Sequence, residues 1–258
     1  MNLLNSIQQI IDHAPIFTLV LFRIGGLITM APVLGSARIP VKIRVLFALV
    51  LSAAVYPMVP AGVVIPDSLP GLAVAIGAEM LIGITMGFAL YLMLVGVQVG
   101  ADLIGYQMGL GMAHLVDPNT ELDSTVLSQL YLMTATLIYV LMNGHIVLIR
   151  SLVQTFETVP LMGATIGIDV LNLLLTILTN AFILGVRVAG PALVAIFLAT
   201  IALGFISRTM PQLNILAAGF PIRITLGLAL IVVSFGAIGI LFEDSIVFVL
   251  RNIGGIFI

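Results

Sequence analysis

The fold class this chain predicts is an all-α integral membrane protein. Two observations predict it. Of 258 residues, 61% are hydrophobic and only 8% charged, with a mean hydropathy of +1.30. A soluble domain carries about 25% charged residues, so this chain has too few to cover a water-facing surface. Its apolar residues also gather in six stretches, most of them near the 20 or so residues that a helix needs to cross a bilayer.

Those stretches are residues 14–34, 43–65, 72–101, 126–149, 171–206 and 213–242. The third and fifth would run about 45 and 54 Å as helices, well past a hydrocarbon core of about 30 Å. Such lengths demand steep tilt, a break, or protein beyond the bilayer. In the fifth, Gly190-Pro191 marks a break, because proline removes a helix hydrogen bond and clashes with the preceding turn. The third has no proline, and one long helix is expected there. Gly83 with Gly87, Gly96 with Gly100, and Gly105 with Gly109 repeat at four-residue spacing, which places each pair on one helix face and admits a close neighbouring helix.

Several function classes drop out early. A net charge of −2 without any Lys/Arg block gives no footing for nucleic acid. With no cysteine there is no disulfide, thiolate or cysteine metal site, while the compartment stays undecided. The first ten residues lack a basic n-region and a small-residue cleavage site, so they are expected to be mature sequence. Arg38, Lys42 and Arg44 make the first connection the most basic and place it in the cytoplasm. Simple alternation then puts 102–125 inside too, although that connection holds Asp102, Asp117, Glu121 and Asp123 and no Lys or Arg.

Enzyme chemistry has little support. His13, His114 and His145 are far apart, and no zinc-type His pair, Gly-x-Ser-x-Gly elbow or phosphate-binding glycine loop is present. No catalytic residue, metal ligand or cofactor is assigned. His145 comes directly after the turn signal Asn143-Gly144 and is expected to be a structural hydrogen-bonding residue.

Four charges lie inside apolar stretches: Arg23, Glu79, Arg187 and Arg223. Each costs about 2.5–3.5 kcal/mol near a helix centre on insertion scales. Three arginines face one acid, so internal pairing cannot neutralise them all. The remainder need carbonyls, water, or acids from other subunits; snorkelling to an interface is the plainer alternative, better for Arg223 than for Arg23. Between the third and fourth stretches lies Gly105-Tyr-Gln-Met-Gly-Leu-Gly-Met-Ala-His-Leu-Val-Asp-Pro-Asn119. Its glycines can bend or approach another chain closely, and Met108 and Met112 are pliable apolar groups. A gate and an ordinary interhelix connection both fit these residues.

Along the chain come Phe22-Arg-Ile-Gly25, Ala31-Pro-Val-Leu-Gly35 with Ile39-Pro40 and Arg44, and Glu79 to Gly87. Then follow Gly105-Tyr-Gln-Met-Gly109 with Asp117-Pro118, Asn143-Gly-His145, and Gly204, Arg208-Thr-Met-Pro-Gln-Leu-Asn214 and Phe220-Pro221. Taken in order, and running nearly end to end, these motifs resemble the FliR family of flagellar export-apparatus membrane proteins, and more distantly its injectisome counterpart SctT. The resemblance implies a non-enzymatic subunit of a type III protein export gate, assembled with FliP- and FliQ-like subunits, beside FlhB-like and FlhA-like components. It implies long tilted helical hairpins in one membrane domain, FliP-like over 1–170 and a FliQ-like hairpin over 171–258. It also implies a place in the bacterial inner membrane at the flagellar basal body, towards the periplasmic side. Unfolded flagellar substrates would pass through it. By the same resemblance, residues 105–117 contribute a plug: Gln107, Met108, Gly109, Leu110, Gly111, Met112 and Asp117, with Met108, Leu110 and Met112 as the sealing side chains. Arg23, Glu79, Arg187 and Arg223 become charges for subunit contact. The competing class is a secondary transporter with Glu79 and the arginines as coupling groups.

Overall fold

The computed structural model describes residues 2–60, 66, 68–111, 124–163, 168–210, 212 and 215–255. Among them the chain is all helix: α1 (Asn2–Met30), α2 (Val41–Val55), α3 (Leu69–Met108), α4 (Val126–Leu141), α5 (Gly144–Thr158), α6 (Ile168–Thr209) and α7 (Ile215–Gly255), with a 3-10 turn at Tyr56–Met58. Four described stretches are long and apolar enough to cross a membrane: His13–Met30, Val41–Met58, Leu69–Met108 and Leu171–Thr209; α4 and α5 together would make a fifth, broken span. This is an integral membrane protein.

The third stretch is the single long helix expected, and it is longer at both ends: α3 has 40 residues. Pro70 sits in its first turn, where a missing N–H costs nothing. Its end is a glycine cap. Gly109 has φ +85°, its N–H reaches the Tyr106 carbonyl at 3.0 Å, and the Leu110 N–H reaches the Gly105 carbonyl at 2.9 Å. These two bonds satisfy carbonyls the helix would otherwise leave open, and the left-handed backbone they need favours glycine.

Two expectations are corrected. The fifth stretch does not break at Gly190-Pro191: α6 runs through Pro191 for 42 residues. Proline forfeits one hydrogen bond, but continuous helix on both sides confines the loss, and membrane helices tolerate it. The fourth stretch is not one helix. The chain breaks after Met142, where Asn143 takes a left-handed φ of 55°. Asparagine tolerates that conformation better than most residues, and Gly144 then starts α5.

The chain divides into two compact units. One holds residues up to Tyr91, Asn143–Ile177 and the stretch from Ile246; the other holds Leu92–Met142 and Leu178–Ser245. In the first, α1 and the first half of α3 cross in direct backbone contact. A Cβ at Gly83 would land on the Arg23 carbonyl, and one at Gly87 would lie 2.7 Å from the Leu27 carbonyl oxygen. Leu19, Val20, Ile24 and Leu27 of α1 are wholly buried, as are Met86 and Ala89 of α3. In the second unit, α3 meets α6 in the same way: Gly100 abuts the Gly185 backbone, and Gly96 that of Ala181. So the first two glycine pairs form the close helix contacts expected. The third does not, since Gly105 packs on the Thr125 side chain and not on a helix.

Candidate functional site: a buried clamp and the end of α3

In the first unit, Arg23 and Glu79 find each other. The Arg23 Nε donates to Glu79 Oε2 at 2.5 Å, with both residues at 0% exposure. The crossing at Gly83 makes this possible, because it brings α1 and α3 close enough for a short acid to span the gap. The remaining valences go to α5 and to the residues just beyond its C-terminal end. One guanidinium nitrogen donates to the Thr155 carbonyl at 3.2 Å and the Val159 carbonyl at 3.1 Å. The Phe156 ring lies 4.5 Å from the guanidinium carbon, a cation–π contact strengthened by the lack of water. Glu79 Oε1 accepts the Met162 N–H at 2.9 Å. The far guanidinium nitrogen, Nη2, has no hydrogen-bond partner among the described residues.

The result is a charged staple joining α1, α3 and the C-terminal end of α5. Two charges taken out of water are tolerated only when their other hydrogen-bonding valences are also met, and here the backbone at 155, 159 and 162 meets most of them. Thr155, Phe156, Val159 and Met162 carry no signal in the sequence. They act through carbonyls, a ring or an N–H, and no pattern of residue types marks such a role.

In the second unit, the glycine-capped end of α3 carries the first part of the segment 105–117. Met108 is wholly buried, and its side chain lies against Gly227 of α7: a Cβ there would be 2.5 Å from the Met108 sulfur. Gly109 faces the Phe220 ring, 3.0 Å from where a Cβ would be. Gln107 is exposed, while Leu110 and Gly111 are half-buried. Met112 and Asp117 lie outside the described residues. Beyond them the chain returns at Thr125, which caps α4 by accepting the Ser128 N–H at 3.2 Å. Asp102 ties that return point to α3: its Oδ1 accepts the Thr125 N–H at 3.0 Å and the Thr125 hydroxyl at 2.9 Å. Thus both ends of the intervening segment are anchored on the C-terminal turns of α3. In the sequence Asp102 stands out only as an acid in a connection without basic residues, and nothing there marks Thr125 as its partner.

The other two charges differ. Arg223 is exposed for part of its length and donates from Nε to the Gly219 carbonyl of its own helix at 3.3 Å. Arg187 is exposed on α6. The Arg23–Glu79 pair is the one ion pair among the described residues, and these residues hold no group of three or more His, Cys, Asp or Glu able to share a metal ion. His13 Nδ1 shares a hydrogen bond of 2.6 Å with the Tyr56 hydroxyl, His114 lies outside the described residues, and His145 Nδ1 is buried with no partner among the described residues.

Comparison with known proteins adds the family. Residues 14–248 match the family described as bacterial export proteins, family 1. The chain is 34% identical over 210 residues to the flagellar biosynthetic protein FliR of Escherichia coli K12, covering 81% of this chain and 80% of that one. It is 28% identical over 236 residues to the protein of that name from Bacillus subtilis 168, covering 90% of each. The Caulobacter vibrioides protein of that name is 29% identical over 227 residues, covering 88% of this chain and 90% of its own.

Proposed function

This chain belongs to the bacterial export proteins of family 1, and from that premise we propose that it is a non-enzymatic membrane subunit of a flagellar protein export gate. With FliP- and FliQ-like subunits it forms the channel for unfolded flagellar substrates, beside FlhB- and FlhA-like components, in the inner membrane at the basal body. The observation that carries this reading is the match over nearly the whole chain to proteins named for flagellar biosynthesis. In α6 and α7, two long helices with only residues 210–214 between them support a FliQ-like hairpin over 171–258.

Within that subunit, residues 105–117 close the channel at rest. The anchored base at Asp102 and Thr125, the glycine cap at Gly109 and the Met108 side chain lodged on Gly227 support this. Met108, Leu110 and Met112 supply an apolar seal, and a dewetted constriction blocks ions without any charge. A secondary transporter would need Glu79 to exchange a proton with water; its burial and its bonds to Arg23 and Met162 speak for a fixed role.

The test is to replace Met108, Leu110 and Met112 by serine in the co-expressed complex and record conductance in planar bilayers. Assembly is expected to persist while resting conductance rises. An assembled variant no leakier than the unsubstituted complex would make this segment a mere connection.

A further inference from the structure

Resting on the subunit role proposed above, we infer that one face of α6, running from Arg187 to Gly204, is covered by an apolar membrane helix of another subunit that carries a carboxylate opposite Arg187. Three features of α6 converge on it.

The first is charge. Arg187 lies near the middle of the 39-residue apolar stretch Leu171–Thr209 and is exposed, with no hydrogen bond or ion pair to its side chain among the described residues. An arginine at that depth faces a partner charge, a carbonyl or water, and not lipid. Pro191, four residues on, has no N–H to give the Arg187 carbonyl.

The second is spacing. Arg187, Gly190, Val194, Phe197, Ile201 and Gly204 succeed one another at intervals of three and four. That alternation keeps residues on one stripe of a helix that winds gently around a neighbour. Val194, Phe197 and Ile201 are 60, 56 and 42% exposed, whereas the opposite side of α6 at Leu184, Val188, Ala192 and Ile196 is buried.

The third is room. A Cβ at either Gly190 or Gly204 would meet nothing within 4 Å. Elsewhere on α6, Gly185 is already taken up by the α3 backbone. So two sites of close approach remain, on the face that bears the unpaired cation. A helix lying there can come near at both glycines and place an Asp or Glu against the guanidinium, forming a bidentate pair that lipid tails cannot supply.

The test uses the full chain co-expressed with the FliP- and FliQ-like subunits of its own organism. A benzoyl-phenylalanine crosslinker at Val194 is expected to give a protein–protein adduct. Mapping that adduct is expected to show a carboxylate within a helical turn or two of it. Arg187→Glu should lower co-purified partner by more than about tenfold, since like charges facing each other are strongly repulsive. Changing the mapped carboxylate to arginine should restore it. A lipid-only adduct at Val194, or Arg187→Glu co-purifying as well as the parent, overturns the inference while the subunit role stands. A parent chain that never co-purifies with those subunits overturns both.

Discussion

The two compact units each hold an arginine within an apolar helix, and they treat it in opposite ways. Arg23 is wholly buried and bonded to Glu79, two carbonyls and an aromatic ring, all within its own unit. Arg187 is exposed, on the same helix face as two glycines with open space, Gly190 and Gly204. The glycines differ in the same sense: Gly83 is pressed on the Arg23 carbonyl, while Gly190 meets nothing. On the proposed subunit role, the first region is packed within the chain and the second is the face offered to an assembly.

The sharpest way to break this contrast is to remove the acid. Glu79→Leu leaves the Arg23 guanidinium buried without its counter-charge, which costs about 3–5 kcal/mol. Thermal unfolding of the detergent-solubilised chain should shift to lower temperature accordingly. The paired replacement Arg23→Met with Glu79→Leu should recover most of the loss, because swapping a buried ion pair for apolar groups is often nearly neutral. In the same measurement Arg187→Met should leave the midpoint unchanged within error. If Arg187→Met destabilised the isolated chain as much as Glu79→Leu, the two arginines would not differ and the contrast would fail.

A smaller effect comes from adding one methyl group to each glycine. Gly83→Ala drives a Cβ into the backbone of α1, and overpacking of this kind costs about 1–3 kcal/mol. Only part is offset by the roughly 1 kcal/mol by which alanine favours a helix over glycine. Gly204→Ala has no clash to set against that gain, so the isolated chain should unfold at the same temperature or slightly higher. Opposite signs in one unfolding assay would sharpen the comparison, and equal losses would dissolve it.

Much of this is legible in the residues themselves. The helical class, the single long α3, and the close contacts at Gly83, Gly87, Gly96 and Gly100 come from hydropathy and spacing alone, because those signals are local. The break expected at Pro191 fails for a physical reason: a proline removes one bond from a helix held on both sides, which weakens without severing. The true break, after Met142, rests on Asn143 taking a left-handed conformation. That turn signal is visible in Asn143-Gly144, but its bearing on the helix is not. As to the site, the four charged positions stand out as anomalies, yet their partners do not. Nothing in residue order tells that Arg23 meets an acid 56 positions away, or that Arg187 meets none among the described residues. Pairing is decided by which helices cross. The backbone acceptors at Thr155 and Val159 cannot be foreseen, since every residue carries a carbonyl.

The smallest expected change concerns Met108, which is buried like Arg23 and, as a proposed sealing side chain, bears like Arg187 on the proposed assembly. Its side chain occupies the space that the missing Cβ of Gly227 leaves open. Gly227→Ala must displace it, yet methionine is unbranched and turns to another rotamer at little cost. Stability should therefore move by less than about 1 kcal/mol, well inside what a flexible side chain absorbs. Resting conductance of the co-expressed complex should nonetheless rise, because a seal depends on where the side chain sits and not on how firmly the helix holds. Met108→Ala should leak to a similar degree. Combining it with Gly227→Ala should relieve the clash without restoring the seal. If Gly227→Ala left conductance at the parent level while Met108→Ala raised it, the seating of the Met108 side chain against α7 would be irrelevant and only its bulk would matter. If neither leaked, Met108 would be a packing residue like Leu27 and Met86, and the seal would lie in other side chains.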